Sequence, residues 1–121
     1  MCFDVYPDGD TYHPETAGLQ MGIGTEIFRG RYVDSFAKPR ALQSGKAEHF
    51  KFGLPNVDHV FLKGHKIMVQ VQSTLFPLYD RNPQTYVPNI FFAKPGDYKK
   101  ATQSIHRSAK APSSVILPVV E

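Results

Sequence analysis

A chain of 121 residues suffices for one domain with a modest core and is too short for an α/β-hydrolase domain, which needs on the order of 200 residues or more. Fourteen Lys and Arg against 11 Asp and Glu leave a formal charge of +3 that is scattered rather than gathered in a block, which argues against a grip on nucleic acid. The single Cys2 excludes an internal disulfide and a multi-cysteine zinc site, and no apolar run approaches the roughly 18 residues of a membrane span, so no membrane partner is expected.

Ten prolines and nine glycines punctuate the chain so often that long helices are disfavoured and short strands joined by turns are expected, which makes the class all-β. The expected strands fall at about residues 2–6, 19–29, 46–54, 65–73, 101–107 and 114–120. Residues 1–4 have neither the basic start nor the apolar stretch of a secretion signal.

In the second strand Leu19, Met21, Ile23 and Ile27 alternate with Gln20, Gly22, Gly24 and Glu26, and the two glycines suggest a bulge or a close backbone approach. A helical reading of residues 25–33 remains open. The segment 34–45 is a polar surface loop. In the third strand Phe50, Phe52 and Leu54 face one way and His49, Lys51 and Gly53 the other, and Pro55-Asn56 ends it. Residues 58–64 form a turn or short strand that sets Phe61 and Leu62 into the core.

The fourth strand carries the strongest pattern: Ile67, Val69 and Val71 on one face, Lys66, Met68, Gln70 and Gln72 on the other. Phe76-Pro77 breaks the ladder, and Asp80-Arg81-Asn82-Pro83 supplies turn formers in which an aspartate and an arginine are available for an internal ion pair. The loop 77–95 carries Tyr79, Tyr86, Ile90, Phe91 and Phe92, too apolar for a disordered segment, and must pack on something. Pro118 makes the last strand an edge strand.

Gly64-His65-x-Ile67-x-Val69-x-Val71, followed by Ser73, Phe76-Pro77 and Asp80-Arg81-Asn82, resembles the C-terminal domain of the CocE/NonD hydrolases, the family of X-Pro dipeptidyl-peptidases, cocaine esterases and α-amino-acid ester hydrolases. The resemblance extends to Asp4-Val5-Tyr6-Pro7-Asp8-Gly9, Arg29-Gly30-Arg31-Tyr32, Ala101-Thr102-Gln103 with His106, and Ser114-Val115-Ile116-Leu117-Pro118, and so covers nearly the whole chain in order. Val69-Gln70-Val71-Gln72-Ser73 with Asn82-Pro83-Gln84 is most similar to the α-amino-acid ester hydrolase branch.

No catalytic residue emerges. A nucleophile of the α/β type sits in Gly-x-Ser-x-Gly, which the chain does not contain. Ser73, Asp80 and His106 can be drawn as a triad in the right order, but with seven serines, 11 acids and five histidines such orders arise by chance. His13, His49, His59, His65 and His106 lack the spacing of a preformed metal site, although Asp58-His59 would supply two ligands if folding brought another histidine near. Gly22-x-Gly24 lacks the third glycine of a dinucleotide fingerprint. The mixed basic and aromatic stretch 94–100 reads as a solvated surface.

The residues singled out are therefore structural or rim candidates: Asp80, Arg81 and Asn82 as a loop-fixing network or a group at a domain interface, Tyr79 and Tyr86 as aromatic cover or platform, and His65 in the matching motif. By resemblance, residues 1–121 form a single C-terminal jelly-roll β-sandwich, galactose-binding-like, that begins partway into the sandwich and lacks its first strands. The resemblance implies a parent serine hydrolase of ester or amide bonds, of dipeptidyl-peptidase or acylase type, with no cofactor and no metal. Its triad lies in a preceding α/β-hydrolase catalytic domain, the expected partner, and this portion supplies packing, active-site rim and homo-oligomer contacts. The compartment, periplasmic, secreted or cytoplasmic, is set elsewhere. The alternative is a stand-alone β-sandwich that binds a carbohydrate or protein partner.

Overall fold

A computed structural model describes residues 1–9 and 13–119, and among them there is no α-helix. Its one sheet has three short antiparallel strands, β1 (Cys2–Val5), β2 (Gln20–Gly24) and β3 (Lys66–Val69), in the order β2-β1-β3. The all-β expectation holds. The chain divides into two units, Met1–Val71 and Gln72–Glu121.

In the first unit β1 is central. Asp4 lies opposite Met21 on one side and Ile67 on the other, while Val5 lies opposite Gln20 and Lys66. The register slips between Cys2, which faces Gly24, and Phe3, which faces Gly22, so Ile23 is the extra residue. That is the bulge the two glycines suggested. β3 is extended by one further exchange, in which the Gln70 amide donates to the Met1 carbonyl at 2.9 Å.

The fourth expected strand forms only over Lys66–Val69, and its apolar face does not find a cover. Ile67, Val69 and Val71 are exposed, and Met68 is the half-buried residue. The third, residues 46–54, forms no strand. Its alternation is real in the side chains, since Phe50 and Phe52 both pack on Phe28, but no second backbone runs beside it to complete a ladder. Apolar periodicity reports which way side chains point, not whether a partner strand exists. In place of a helix over 25–33 there is one 3-10 turn, Gly30–Tyr32. Leu62 is exposed rather than in the core, because a turn closed by the His65 amide on the Leu62 carbonyl at 3.1 Å leaves it at the surface; Phe61 is half-buried.

The segment 34–45 is the polar surface loop expected, and an arginine fixes it. Arg40 reaches Asp34 through Nε and, through Nη1 and Nη2, each oxygen of Glu48 at 3.1 Å. The hydrogen bond from Arg40 is the main reason that the Asp34 carboxyl is held below its ordinary range, and the same holds for Glu48. The Arg40 guanidinium is stabilised upward, first by Asp34 and then by Glu48. Its backbone amide donates to the Arg31 carbonyl at 2.9 Å, which ties the loop back to the 3-10 turn.

The second unit contains no strand among its described residues; 3-10 turns at Ile90–Phe92 and Pro95–Asp97 organise it. Asn89 caps the first by accepting from the Phe91 amide at 3.0 Å, and Asp97 closes the second by accepting from the Lys94 amide at 2.8 Å. The expected strand 101–107 is irregular, followed by an isolated bridge between Ser108 and Ala111. Residues 114–119 likewise form no ladder, and residue 120 of that expectation lies outside the described residues. Both segments lack a neighbouring strand to donate to.

Candidate functional site

The first unit buries one carboxylate. β1 points Cys2 and Asp4 to the same covered side, so Asp4, at 1% exposure, sits where a strand of this kind ordinarily places an apolar residue. A buried carboxylate is costly unless hydrogen-bonded, and Asp4 is held twice. His59 Nε2–H donates to Asp4 Oδ2 at 3.0 Å, and His65 Nδ1–H lies 3.0 Å from both carboxylate oxygens. The carboxylate only accepts, so both imidazole nitrogens must carry protons.

Three separated pieces of chain deliver these groups: β1, the irregular segment before Gly64, and the residue just before β3. Gly64 adopts φ +96°, a backbone conformation that a side chain disfavours, and the reversal there turns His65 inward. The His65 side chain is 5% exposed and His59 17%. Tyr6 covers His65 with ring centroids 4.3 Å apart, and the Tyr6 hydroxyl points to Met21 Sδ at 3.8 Å. The Phe61 ring meets His59 edge-on at 4.9 Å.

Desolvation pushes the Asp4 carboxyl upward. The hydrogen bonds from His65 and His59, joined by their charge, outweigh it and leave the pKa below its ordinary value of 3.8. The three side chains bond directly to one another rather than surrounding a centre, and among the described residues no group of three His, Cys, Asp or Glu could hold a metal ion. Ser73 belongs to the second unit, where its hydroxyl accepts from Gln84 Nε2 at 2.7 Å. What this arrangement does chemically is hold three chain segments on one charge.

Of the residues singled out by sequence, His65 thus lies in the first unit and the others in the second. There, Asn82 Nδ2 donates to the Ser73 carbonyl at 2.7 Å while its Oδ1 accepts from the Gln84 amide at 3.0 Å. Gln84, at φ +60°, also accepts from Gln103 Nε2 at 3.0 Å. Arg81 stacks over the Tyr98 ring with its guanidinium carbon 4.8 Å from the centroid, and the pair lines an open recess with Ala93 and Pro95. Asp80 and Tyr79 are half-buried, and the Tyr79 amide donates to the Leu75 carbonyl at 2.9 Å. Tyr86 is exposed, as are Phe91 and Phe92.

Sequence reasoning missed Asp4 and treated the histidines as isolated. The signal was present: an aspartate in register with Cys2 on the covered side of Cys2-Phe3-Asp4-Val5 requires donors, and Asp58-His59 and Gly64-His65 flank the main strand's start. His13 pairs with exposed Glu15 at 3.2 Å, and His49 and His106 are exposed.

The geometry defines a small β unit whose buried polar groups hold its fold together. The chain belongs to the family described as the X-Pro dipeptidyl-peptidase C-terminal non-catalytic domain, whose model matches residues 3–116. It is 32% identical over 118 residues to the cocaine esterase of Rhodococcus sp. (strain MB1 Bresler), a match covering 98% of this chain and 19% of that protein. Among solved structures it is similar to an aminopeptidase from the marine sediment archaeon Thaumarchaeota archaeon, at 51% identity and TM-score 0.86, over 92% of this chain and 18% of that one. It is also similar to an α-amino acid ester hydrolase, at 57% identity and TM-score 0.76, over 81% of this chain and 16% of that one. The chain therefore spans about a fifth of the length of the relatives it matches, and the resemblance to the CocE/NonD hydrolases holds.

Proposed function

We propose that this chain is the C-terminal, non-catalytic portion of an α/β serine hydrolase of ester or amide bonds, of dipeptidyl-peptidase or acylase type. In this reading residues 1–121 are one domain that completes a galactose-binding-like jelly-roll sandwich with strands from elsewhere in a longer chain. It supplies packing, active-site rim and subunit contacts, and the Ser, Asp and His of an acyl-enzyme mechanism come from the catalytic domain. Asp80, Arg81, Asn82, Tyr79 and Tyr86 are its rim candidates, and His65 acts through Asp4 to hold the first unit.

The observation that carries the reading is uncovered apolar surface. Apart from proline and glycine, Cys2 is the one buried apolar residue among the described residues, whereas Ile67, Val69, Val71, Phe76, Leu78 and Phe92 are all exposed. Isolated soluble domains do not leave so much apolar surface in water; a part that packs on more chain does. Sequencing the DNA upstream of the Met1 codon tests this. An open frame that encodes Gly-x-Ser-x-Gly a few hundred residues earlier is expected. An in-frame stop with its own start signals would replace the reading by a stand-alone module for a carbohydrate or protein partner.

A further inference from the structure

The second unit builds a recess around an arginine whose hydrogen-bonding capacity the unit itself does not use. The Arg81 guanidinium carbon stands over the Tyr98 ring, 4.8 Å from its centroid, and the two side chains line the recess with Ala93 and Pro95. Its volume of about 440 Å³ is room for a small organic molecule. No hydrogen bond or ion pair joins the Arg81 guanidinium to another described residue, Asp80 included, so the ion pair that the sequence offers between those neighbours does not form.

The stacked pair is fixed from both sides. The Lys99 amide donates to the Pro83 carbonyl at 2.9 Å, and the Thr85 hydroxyl donates to the Asp97 carbonyl at 2.6 Å. Asp97 and Lys99 bracket Tyr98, while Pro83 and Thr85 follow Arg81 closely, so these two cross-links bring the ring to the guanidinium. Asn82 holds the turn after Arg81 through the Ser73 carbonyl and the Gln84 amide. Pro95 is set by the turn that Asp97 closes on the Lys94 amide at 2.8 Å. Groups ordered in advance spare a ligand the cost of ordering them.

A guanidinium steadied by an aromatic ring still carries five N–H donors, and that planar fork meets a carboxylate through two parallel hydrogen bonds. Tyr98, Ala93 and Pro95 offer apolar surface beside it. Lys94, Lys99 and Lys100 outnumber Asp97 in the surrounding stretch, which favours an anion. We infer that the Arg81–Tyr98 recess binds a small carboxylic acid with an aromatic or apolar body, its carboxylate on Arg81 and its body against Tyr98, Ala93 and Pro95. A phosphate would leave that apolar wall unused. The inference goes beyond the function proposed above. Its ligand class is that of the acids which ester or amide hydrolysis releases, but the site stands on the geometry of the second unit alone.

The experiment is equilibrium dialysis of benzoate against the complete protein and its Arg81→Gln and Arg81→Lys variants. Benzoate held at any other site is common to all three proteins, so the difference reads this recess. Arg81→Gln is expected to weaken the Arg81-dependent binding tenfold or more, and Arg81→Lys to recover little of it, because an ammonium keeps the charge and loses the fork. Benzyl alcohol, which keeps the ring without the charge, should fail to displace benzoate, and so should inorganic phosphate at the same concentration. Arg81 is exposed and bonds to no backbone group, so both variants keep the fold; the two cross-links do not involve its side chain. Equal binding by the natural protein and Arg81→Gln overturns the inference, whether an acid of the same chain fills the fork or water does. Displacement by phosphate overturns the carboxylic acid as the ligand, and displacement by benzyl alcohol overturns the role of Arg81. Each of these failures leaves the proposed function standing, since nothing in it requires the recess to be occupied.

Discussion

His65 Nδ1, just before β3, lies 3.0 Å from each oxygen of Asp4 on the neighbouring strand β1. The imidazole thus joins the residue just before one strand to the middle of another, and His59 adds a third segment through Oδ2. Removing the charge while keeping the shape isolates this contribution. Asp4→Asn is expected to destabilise the protein by about 3 kcal/mol, because one imidazole N–H is left facing an amide N–H₂ in a buried site. Urea denaturation of the variant beside the natural protein measures it.

The same cluster sets an acid limit. The Asp4 pKa is depressed in the folded state below 3.8, so the unfolded chain binds the proton more readily. Its contribution is fully present above about pH 4 and is lost as pH falls through the folded-state value. The denaturation midpoint should therefore drop below pH 4 with a slope that Asp4→Asn reduces. An equal slope in both proteins would show that other carboxylates set the limit.

Gly64 precedes His65 with φ +96°, and open space surrounds the position an added Cβ would take. Gly64→Ala therefore tests conformation without a clash. The cost expected is about 1–2 kcal/mol. The His65 side-chain NMR signals should move as the ring leaves the carboxylate. Unchanged signals with full stability would remove Gly64 from the account.

Arg40 is the sole side chain that grips both Asp34 and Glu48 among the ion pairs described. Arg40→Ala is expected to speed proteolytic cleavage within residues 34–48, and Arg40→Lys to restore little, because a single ammonium cannot present the planar fork that meets both carboxylates. High salt should narrow the difference between the natural protein and the variants.

Asn82 both donates to the Ser73 carbonyl and accepts from the Gln84 amide. Asn82→Asp keeps the acceptor and loses the donor. A loss of about 1 kcal/mol, with the Gln84 turn retained, is expected; hydrogen exchange at the Gln84 amide reads the turn. A fast-exchanging Gln84 amide would show that the donor half fixes the turn.

Much of this was legible in the chain. The alternation around Lys66–Val69, the paired glycines at the bulge and the Asn82 turn all encode local geometry, which short-range sequence records. The family followed from the same residues in order. What stayed illegible depends on partners. Residues 46–54 alternate like a strand yet find no neighbouring backbone, and the apolar face of Ile67, Val69 and Val71 finds no cover, because neither partner is encoded in the segment itself. The Asp4 cluster spans separations of 55 and 61 residues, too far for any window to join.

Mapping an active-serine probe on the complete protein tests the central claim most directly. A fluorophosphonate adduct on a serine outside these 121 residues, with Ser73 and the other six serines here unlabelled, is the result the account predicts. An adduct on any serine of this chain would contradict it, because the domain would then carry the chemistry that its family lacks.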